Sequence, residues 1–354
     1  MVVNQWVPAA HRGDAIGDSA RAVRDLLRAQ GHEAGLFALA IDEDMRGEAR
    51  PFGDPAASAG DVTILHFAVP SPMTEAFARL PRGRVLQYHN ITPARFYAPY
   101  DPGIFRLATL GRRELASLAG RTDLALGDSE YNRQELESLG FAETAVFPVA
   151  VNVGRIVGAP RTPALEKWLN DGLTNFLFVG RMVPNKKIED IIRLAEHYKR
   201  YVDAHYRFIF VGRDEGVPRY TSMLRALVAE LGWLPDRYVF TGAVPDQELA
   251  AYYRYSSVYI SMSEHEGFCV PLVEAMAADL PVLAYACTAI PDTLGGAGVQ
   301  FAPKDFEHAA ELLGMLAFDD GLRASIIAGQ RRRLAHFSTG RIDTELRRLL
   351  ERFP

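Results

Sequence analysis

The stretch Ser263-Glu264-His265-Glu266-Gly267-Phe268-Cys269-Val270-Pro271-Leu272-Val273-Glu274-Ala275-Met276 follows a short apolar run of period-two character, Val258-Tyr259-Ile260-Ser261-Met262. A helical pattern comes after it, so the segment reads as strand, tight loop and helix. Pro271 suits the first helical position, where its missing N–H costs nothing. That places Glu274 in the first helical turn, beside unpaired backbone N–H groups that attract anions, phosphate above all. A carboxylate there repels phosphate unless it binds something else, such as sugar hydroxyls. The two carboxylates, Glu266 and Glu274, therefore point to a nucleotide-sugar site on an α/β unit.

The same strand-to-loop pattern recurs on both sides of this stretch. In the second half, strands are predicted at 176–180, 207–212, 238–241, 281–285 and 299–301, with a helix over 188–201. In the first half they are predicted at 2–7, 34–40, 62–67, 84–88, 124–127 and 145–151, with helices over 104–119 and 132–139. Ile16, Ala20, Val23 and Leu27 recur at helical spacing, and Gly31 stops that helix. The alternation implies two doubly wound, mostly parallel sheets covered on both faces. Between them, 153–171 is broken by Gly154, Gly158, Pro160 and Pro163 and reads as a linker. The last segment, 340–353, is an amphipathic helix carrying Ile342, Leu346, Leu349, Leu350 and Phe353.

Composition narrows the function classes. The chain has 354 residues, 48% hydrophobic and 23% charged, a globular balance long enough for two domains. A net charge of −5 gives no support to bulk nucleic-acid binding. Cys269 and Cys287 are the only cysteines, without metal spacing or a disulfide framework. Residues 1–8 read as a strand rather than a leader, and no apolar run reaches the 18 residues that suggest a transmembrane helix. A reduced, cytoplasmic setting is expected.

In parallel sheets, ligands bind at the carboxyl ends of strands, and several loops there carry candidates. The first, His11 to Asp18, contains Gly13 and Gly17 but lacks the G-x-G-x-x-G of dinucleotide sites. Tyr88-His89-Asn90-Ile91-Thr92-Pro93 and Gly127-Asp128-Ser129-Glu130 end two further strands, with Ser129 as a predicted N-cap. A lone strand-end histidine is more often structural than catalytic. Asp42-Glu43-Asp44 has the D-x-D form of some metal-binding transferases but sits in a polar stretch and reads as a solvated loop. Arg181 and Lys186 leave one strand end five residues apart and can clamp a diphosphate, Arg bidentately and Lys as a point charge. Two such charges alone would be a solvated loop; beside Glu266 and Glu274 they describe a site for an activated sugar.

Taken together, Val179-Gly180-Arg181 with Lys186, Phe240-Thr241-Gly242, the E-x7-E segment from His265 to Met276, Pro281-Val282 and Ala289-Ile290-Pro291-Asp292 resemble glycosyltransferase family 4 over nearly the whole chain. The match departs at Lys187 and Cys269, where glycine is usual or common, at Asp292, where Glu is usual, and at the first loop, which lacks the commoner double Gly. The resemblance implies the GT-B fold, with two Rossmann-like domains facing across a cleft: 1–157 on the acceptor side and 158–337 on the donor side, with the helix 338–354 packing back on the first. It implies that Arg181 and Lys186 bind the donor diphosphate and that Glu266 holds hydroxyls of the transferred sugar. Glu274 would hold the ribose. Gly267, Phe268, Cys269 and Leu272 would line the sugar and phosphate through the loop and helix start, and Gly242 to Val244 the base. Gly13 and Gly17 would flank the donor from the first loop. His89 would contact the sugar C6 hydroxyl or the acceptor.

The implied reaction is transfer of a hexose, with retention, from GDP-mannose or a UDP-hexose to a hydroxyl of a glycan or lipid-linked acceptor in bacterial surface-polysaccharide synthesis. Departure of the diphosphate would be stabilised by cations and helix N–H groups, without metal or other cofactor. The departing phosphate oxygen, rather than Glu266, would serve as base. Rival readings are a transferase for a small-molecule acceptor, a GT-B epimerase or phosphorylase, a catalytically silent sugar-nucleotide binder and a dinucleotide oxidoreductase. Arg331-Arg332-Arg333 and Arg347-Arg348 could touch an anionic membrane face, although helix-face arginines are more often solvated.

Overall fold

The protein was analysed as a computed structural model that describes residues 1–11, 13–232 and 236–353. Arg12 of the first loop and Pro354 of the expected terminal helix lie outside the described residues. The chain divides into two compact units, one of Met1–Arg95, Gly103–Val151 and the stretch from His336, the other of Phe96–Pro102 and Asn152–Ala335.

The first unit is built on β1 (Val2–Ala10), β2 (Glu33–Ile41), β3 (Arg50–Pro51), β4 (Val62–Phe67), β5 (Arg84–Tyr88), β6 (Leu124–Gly127) and β7 (Thr144–Val146). They form one sheet in the order β3-β2-β1-β4-β5-β6-β7, every pair parallel. Burial from both faces explains why β4 is enclosed along its whole length and reads as a nearly unbroken apolar run. Only the two-residue edge strand β3 escaped the sequence pattern; it carries a proline, which only an edge tolerates. The helix Thr339–Leu350 places Ile342, Leu346, Leu349 and Leu350 in one cluster with Val3, Val23, Leu27 and Val62. Its apolar residues fall on one stripe, so the C-terminal segment completes the core of this unit.

The second unit repeats the plan with β8 (Thr174–Val179), β9 (Tyr206–Val211), β10 (Tyr238–Gly242), β11 (Val258–Ser261), β12 (Val282–Tyr285) and β13 (Val299–Phe301). Its parallel sheet runs β10-β9-β8-β11-β12-β13. The order reverses between β8 and β11, and the crevice beyond the carboxyl ends of these two strands is where such sheets bind ligands. Gly180 and Gly212, just past β8 and β9, have φ of 155° and 142°. A Cβ on Gly212 would lie 2.1 Å from the Gly180 carbonyl oxygen, so the loops leave the two strands in close contact. Residues 153–171 are more ordered than a linker: they hold the helices Gly154–Val157 and Pro163–Leu169. The break between units falls after Val151 rather than after 157, and Asn152 onward belongs to the second unit.

Candidate active site

The loops leaving β8 and β11 are stitched together before either reaches a ligand. Asn185 Nδ2 donates to the His265 carbonyl at 2.9 Å, and the Glu264 N–H donates to the Asn185 carbonyl at 2.8 Å. Lys304 Nζ ties Glu264 (3.0 Å) to Asp190 (2.6 Å) at the start of the helix Ile188–Tyr201. This frame presents Lys186 to Glu266, with Nζ 2.6 Å from both carboxylate oxygens. The pair is largely shut from water, the side chains being 19% and 7% exposed. Burial works against the charge on Lys186, but Glu266 outweighs it and holds the ammonium above its ordinary range. Arg181 is exposed on the same loop, and its guanidinium makes no hydrogen bond or ion pair among the described residues. One cation is thus neutralised in place and a second stands available at the strand switch.

The position of Glu274 differs from the expectation. The helix spans Val270–Ala277 with Cys269 as N-cap, so Pro271 is its second residue and Glu274 its fifth. Glu274 therefore lies in the second turn, away from the unpaired N–H groups, and is 1% exposed. One carboxylate oxygen accepts from the Tyr253 hydroxyl at 2.8 Å; the other is paired with Arg155. Burial, then Glu274, pushes the Tyr253 hydroxyl well above its ordinary range, so it stays a donor. Arg155 comes from the stretch that reads as a linker, and no sequence signal marks it.

The two departures that replace glycine in the family pattern share one geometry. Lys187 has φ of 52° and Cys269 φ of 71°, the left-handed region in which glycine carries no Cβ penalty. A non-glycine residue there costs roughly 1–2 kcal/mol. Cys269→Gly is therefore expected to fold with unchanged or raised melting temperature and to retain donor turnover. A variant that loses turnover while folding normally would give the thiol a role beyond filling space. Burial raises Cys269 well above the ordinary thiol range and Cys287 to about 11, which disfavours the thiolate form of both. Gly267 and Phe268 complete the loop, the Phe268 carbonyl accepting from Thr293 Oγ1, and Leu272 is fully buried beneath it. Gly242, with φ of 70°, ends β10 and accepts from the Gly212 N–H at 2.9 Å; Val244 is half-buried just beyond.

His89, Gly13 and Gly17 belong to the first unit. The His89 imidazole is 2% exposed and both of its nitrogens are engaged, Nδ1 with Asp128 Oδ2 and Nε2 with His66 Nδ1, each at 2.8 Å. The expected contact of this ring with a sugar or acceptor hydroxyl is not available in this geometry, because no nitrogen is left to make it. The ring instead belongs to a buried chain running Gln5, His66, His89, Asp128, Gln87. Gln5 Nε2 donates to the Ala20 carbonyl, which turns Gln5 Oε1 toward His66 Nε2 as an acceptor. His66 then donates from Nε2, accepts at Nδ1 and is neutral, so the hydrogen between the two rings sits on His89 Nε2. The chain anchors the loop after β5, where Asn90 takes φ of 70° and donates to Asn132 Oδ1 at 2.8 Å. Gly17 serves packing, since a Cβ there would lie 2.8 Å from the His11 carbonyl oxygen, and Gly13 turns the loop with φ of 72°.

Burial, followed by the neighbouring His89, depresses His66 well below its ordinary value near 6.5. A histidine whose folded-state value is depressed contributes stability above its unfolded value and loses it as pH falls below that value. Unfolding free energy is therefore expected to fall below pH 6.5, by up to about 1.4 kcal/mol per pH unit for one proton. Denaturant titrations between pH 5 and 8 check this, with His66→Asn expected to flatten the slope.

Arg331 pairs with Asp279, Arg333 donates to the Thr293 and Asp292 carbonyls, Arg347 pairs with Asp343 and Arg348 with Glu345. These partners favour the solvated or structural reading of both arginine clusters. Asp42, Glu43 and Asp44 are exposed around a short turn, as a solvated loop should be. Among the described residues no helix is long and apolar enough to cross a membrane.

Two successive doubly wound parallel sheets are the architecture of the GT-B fold. A structure of Anabaena Alr3699/HepE in complex with UDP and glucose has this fold. It superposes with a TM-score of 0.75 over 99% of this chain and 100% of that one, at 16% identity. Residues 165–333 match the family model of glycosyl transferases group 1. A GDP-mannose-dependent alpha-mannosyltransferase of Mycobacterium tuberculosis is 30% identical over 230 residues, 63% of this chain and 55% of that protein. The O-antigen chain mannosyltransferase B of Escherichia coli is 27% identical over 46% of this chain and 43% of its own. The chain thus spans about half the length of these curated relatives.

Proposed function

We propose that the protein is a retaining hexosyltransferase that takes a hexose from a nucleotide-diphospho-sugar, GDP-mannose or a UDP-hexose, to a hydroxyl of a glycan or lipid-linked acceptor in surface-polysaccharide assembly at the cytoplasmic side of the membrane. The observation that carries this reading is the buried Lys186–Glu266 pair beside exposed Arg181 at the β8/β11 switch. A diphosphate-linked sugar matches it group by group: the diphosphate takes Arg181 and Lys186, and the sugar hydroxyls take the carboxylate that Lys186 releases. The names of the mannosyltransferase relatives favour a GDP-mannose donor, and the UDP and glucose of the Anabaena structure keep UDP-hexoses in the panel.

Breaking the sugar–phosphate bond builds negative charge on the departing diphosphate. Arg181 and Lys186 meet that charge already positioned, so the site need not reorganise as the bond breaks. Glu266 orients the hexose, and the departing phosphate oxygen accepts the acceptor's proton on the face it leaves, which retains the anomeric configuration. His89 contributes by fixing the loop after β5, not by contact through its ring.

The test is a panel of nucleotide sugars in thermal-shift and acceptor-free hydrolysis assays, since a bound donor raises apparent stability. One NDP-hexose should raise the melting temperature and release its nucleotide slowly. The same turnover is expected in excess EDTA. Lack of response to every NDP-hexose would reject the reading, and release of a free epimer would move it to the epimerase class.

A further inference from the structure

The carboxylate of Glu274 is closed off differently on its two sides. Its inner oxygen accepts from Tyr253, whose side chain is itself buried within the helix Asp246–Tyr255. Its outer oxygen is covered by the guanidinium of Arg155, which is 23% exposed while the Glu274 side chain beneath it is 2% exposed. The other arm of the same guanidinium holds Asp246 Oδ1 at 2.5 Å, and Asp246 is half open to water. Arg155 thus bridges one buried and one exposed carboxylate and lies over Glu274 on that side.

The backbone beneath Arg155 suits a side chain that changes place. The helix Gly154–Val157 is a single turn between two glycines, Gly154 and Gly158, and Ile156 is its one buried side chain. Val157 is 61% exposed. Burial acts against the charge on Arg155, but Glu274 and then Asp246 raise it, so the cover is held by charge rather than by packing.

We propose that Arg155 is a ribose-mimicking cover, which occupies the outer face of Glu274 in the empty protein and is displaced by the ribose diol of the donor. This deepens the function proposed above and rests on its placement of the donor ribose at Glu274. The exchange balances chemically: the two ribose hydroxyls donate to the carboxylate, replacing the guanidinium N–H donors, and Arg155 keeps its charge partner in Asp246. Lys186 and Glu266 make the same kind of exchange at the sugar, so each carboxylate of the pair waits under a cation that donor hydroxyls replace. A specificity follows. A 2′-deoxyribose brings one hydroxyl in place of two, so Glu274 favours ribonucleotide donors, while the cost of displacing Arg155 is common to both.

Isothermal titration of UDP, GDP, dUDP and dGDP into wild type, Arg155→Ala and Arg155→Lys tests this. Ligand affinity is reduced by the fraction of protein that is closed to the ligand. Arg155→Ala is therefore expected to bind the preferred ribonucleotide about tenfold tighter, and its 2′-deoxy analogue tighter by the same factor. Arg155→Lys, which keeps the cation and its Asp246 partner and so guards against a folding defect, should fall between. Unchanged or weaker binding in both variants would overturn the cover. A wild type that binds none of the four would overturn the donor-site reading itself.

Discussion

Replacing Lys186 with alanine is expected to reduce turnover of the nucleotide sugar by at least 10²–10³-fold, the usual cost of removing one prepositioned group that meets charge in the transition state. The same substitution should also lower stability, for a separate reason. Lys186 Nζ contacts both oxygens of Glu266, whose side chain is 7% exposed. Removing one partner of a buried pair leaves an uncompensated charge and costs about 3–5 kcal/mol. The two effects come apart in the double variant Lys186→Ala/Glu266→Gln, where the residual charge is gone: stability should recover while turnover does not. Melting temperature and acceptor-free hydrolysis, measured on the single and double variants, decide it. Turnover near wild type in Lys186→Ala would sink the assignment of this cation to the diphosphate.

Glu274→Ala is expected to abolish measurable turnover by a different route, through donor binding. Hydrogen bonds to a charged group contribute roughly 1.5–3 kcal/mol each, so losing the acceptor for two ribose hydroxyls should raise the donor KM by 10²-fold or more. The alanine leaves Arg155 with Asp246 but strands the buried Tyr253 hydroxyl, at a cost of about 1–3 kcal/mol. Glu274→Gln retains an acceptor oxygen for one hydroxyl and should fall between. The contrast with Lys186 is diagnostic: the lysine variant loses kcat, whereas the glutamate variants lose affinity for the free nucleotide as well. Unaltered nucleotide affinity in Glu274→Ala would remove the ribose from this carboxylate.

The alternating strand and helix pattern was legible because parallel strands buried on both faces are mostly apolar, as β4 and β9 are apart from Thr63, His66 and Arg207. Their ends were legible for the same reason, and Arg181, Lys186, Glu266 and Glu274 stood out as charges at those ends. Lys187 and Cys269 stood out as departures, but only the backbone angles show that both occupy positions made for glycine. Glu274 stands one helical position later than expected because Pro271 is compatible with either of the first two positions, and a step of one residue moves a side chain by about 100° around a helix of 3.6 residues per turn.

What the sequence by itself determined is the order of elements, the two doubly wound sheets and the chemistry carried by the loop of each strand, since these follow from local periodicity and from residue type. What only the tertiary structure decided is which charges meet. Lys186 and Glu266 are eighty residues apart in the chain and Arg155 and Glu274 more than a hundred, yet each pair is in contact. His89 likewise looked like a group facing a ligand until His66 and Asp128, on neighbouring strands, were seen to take both of its nitrogens. Pairing across the sheet depends on strand order and on the path of loops, and neither leaves a trace in local sequence. For that reason a stretch that reads as a linker supplied Arg155, the cation that covers Glu274.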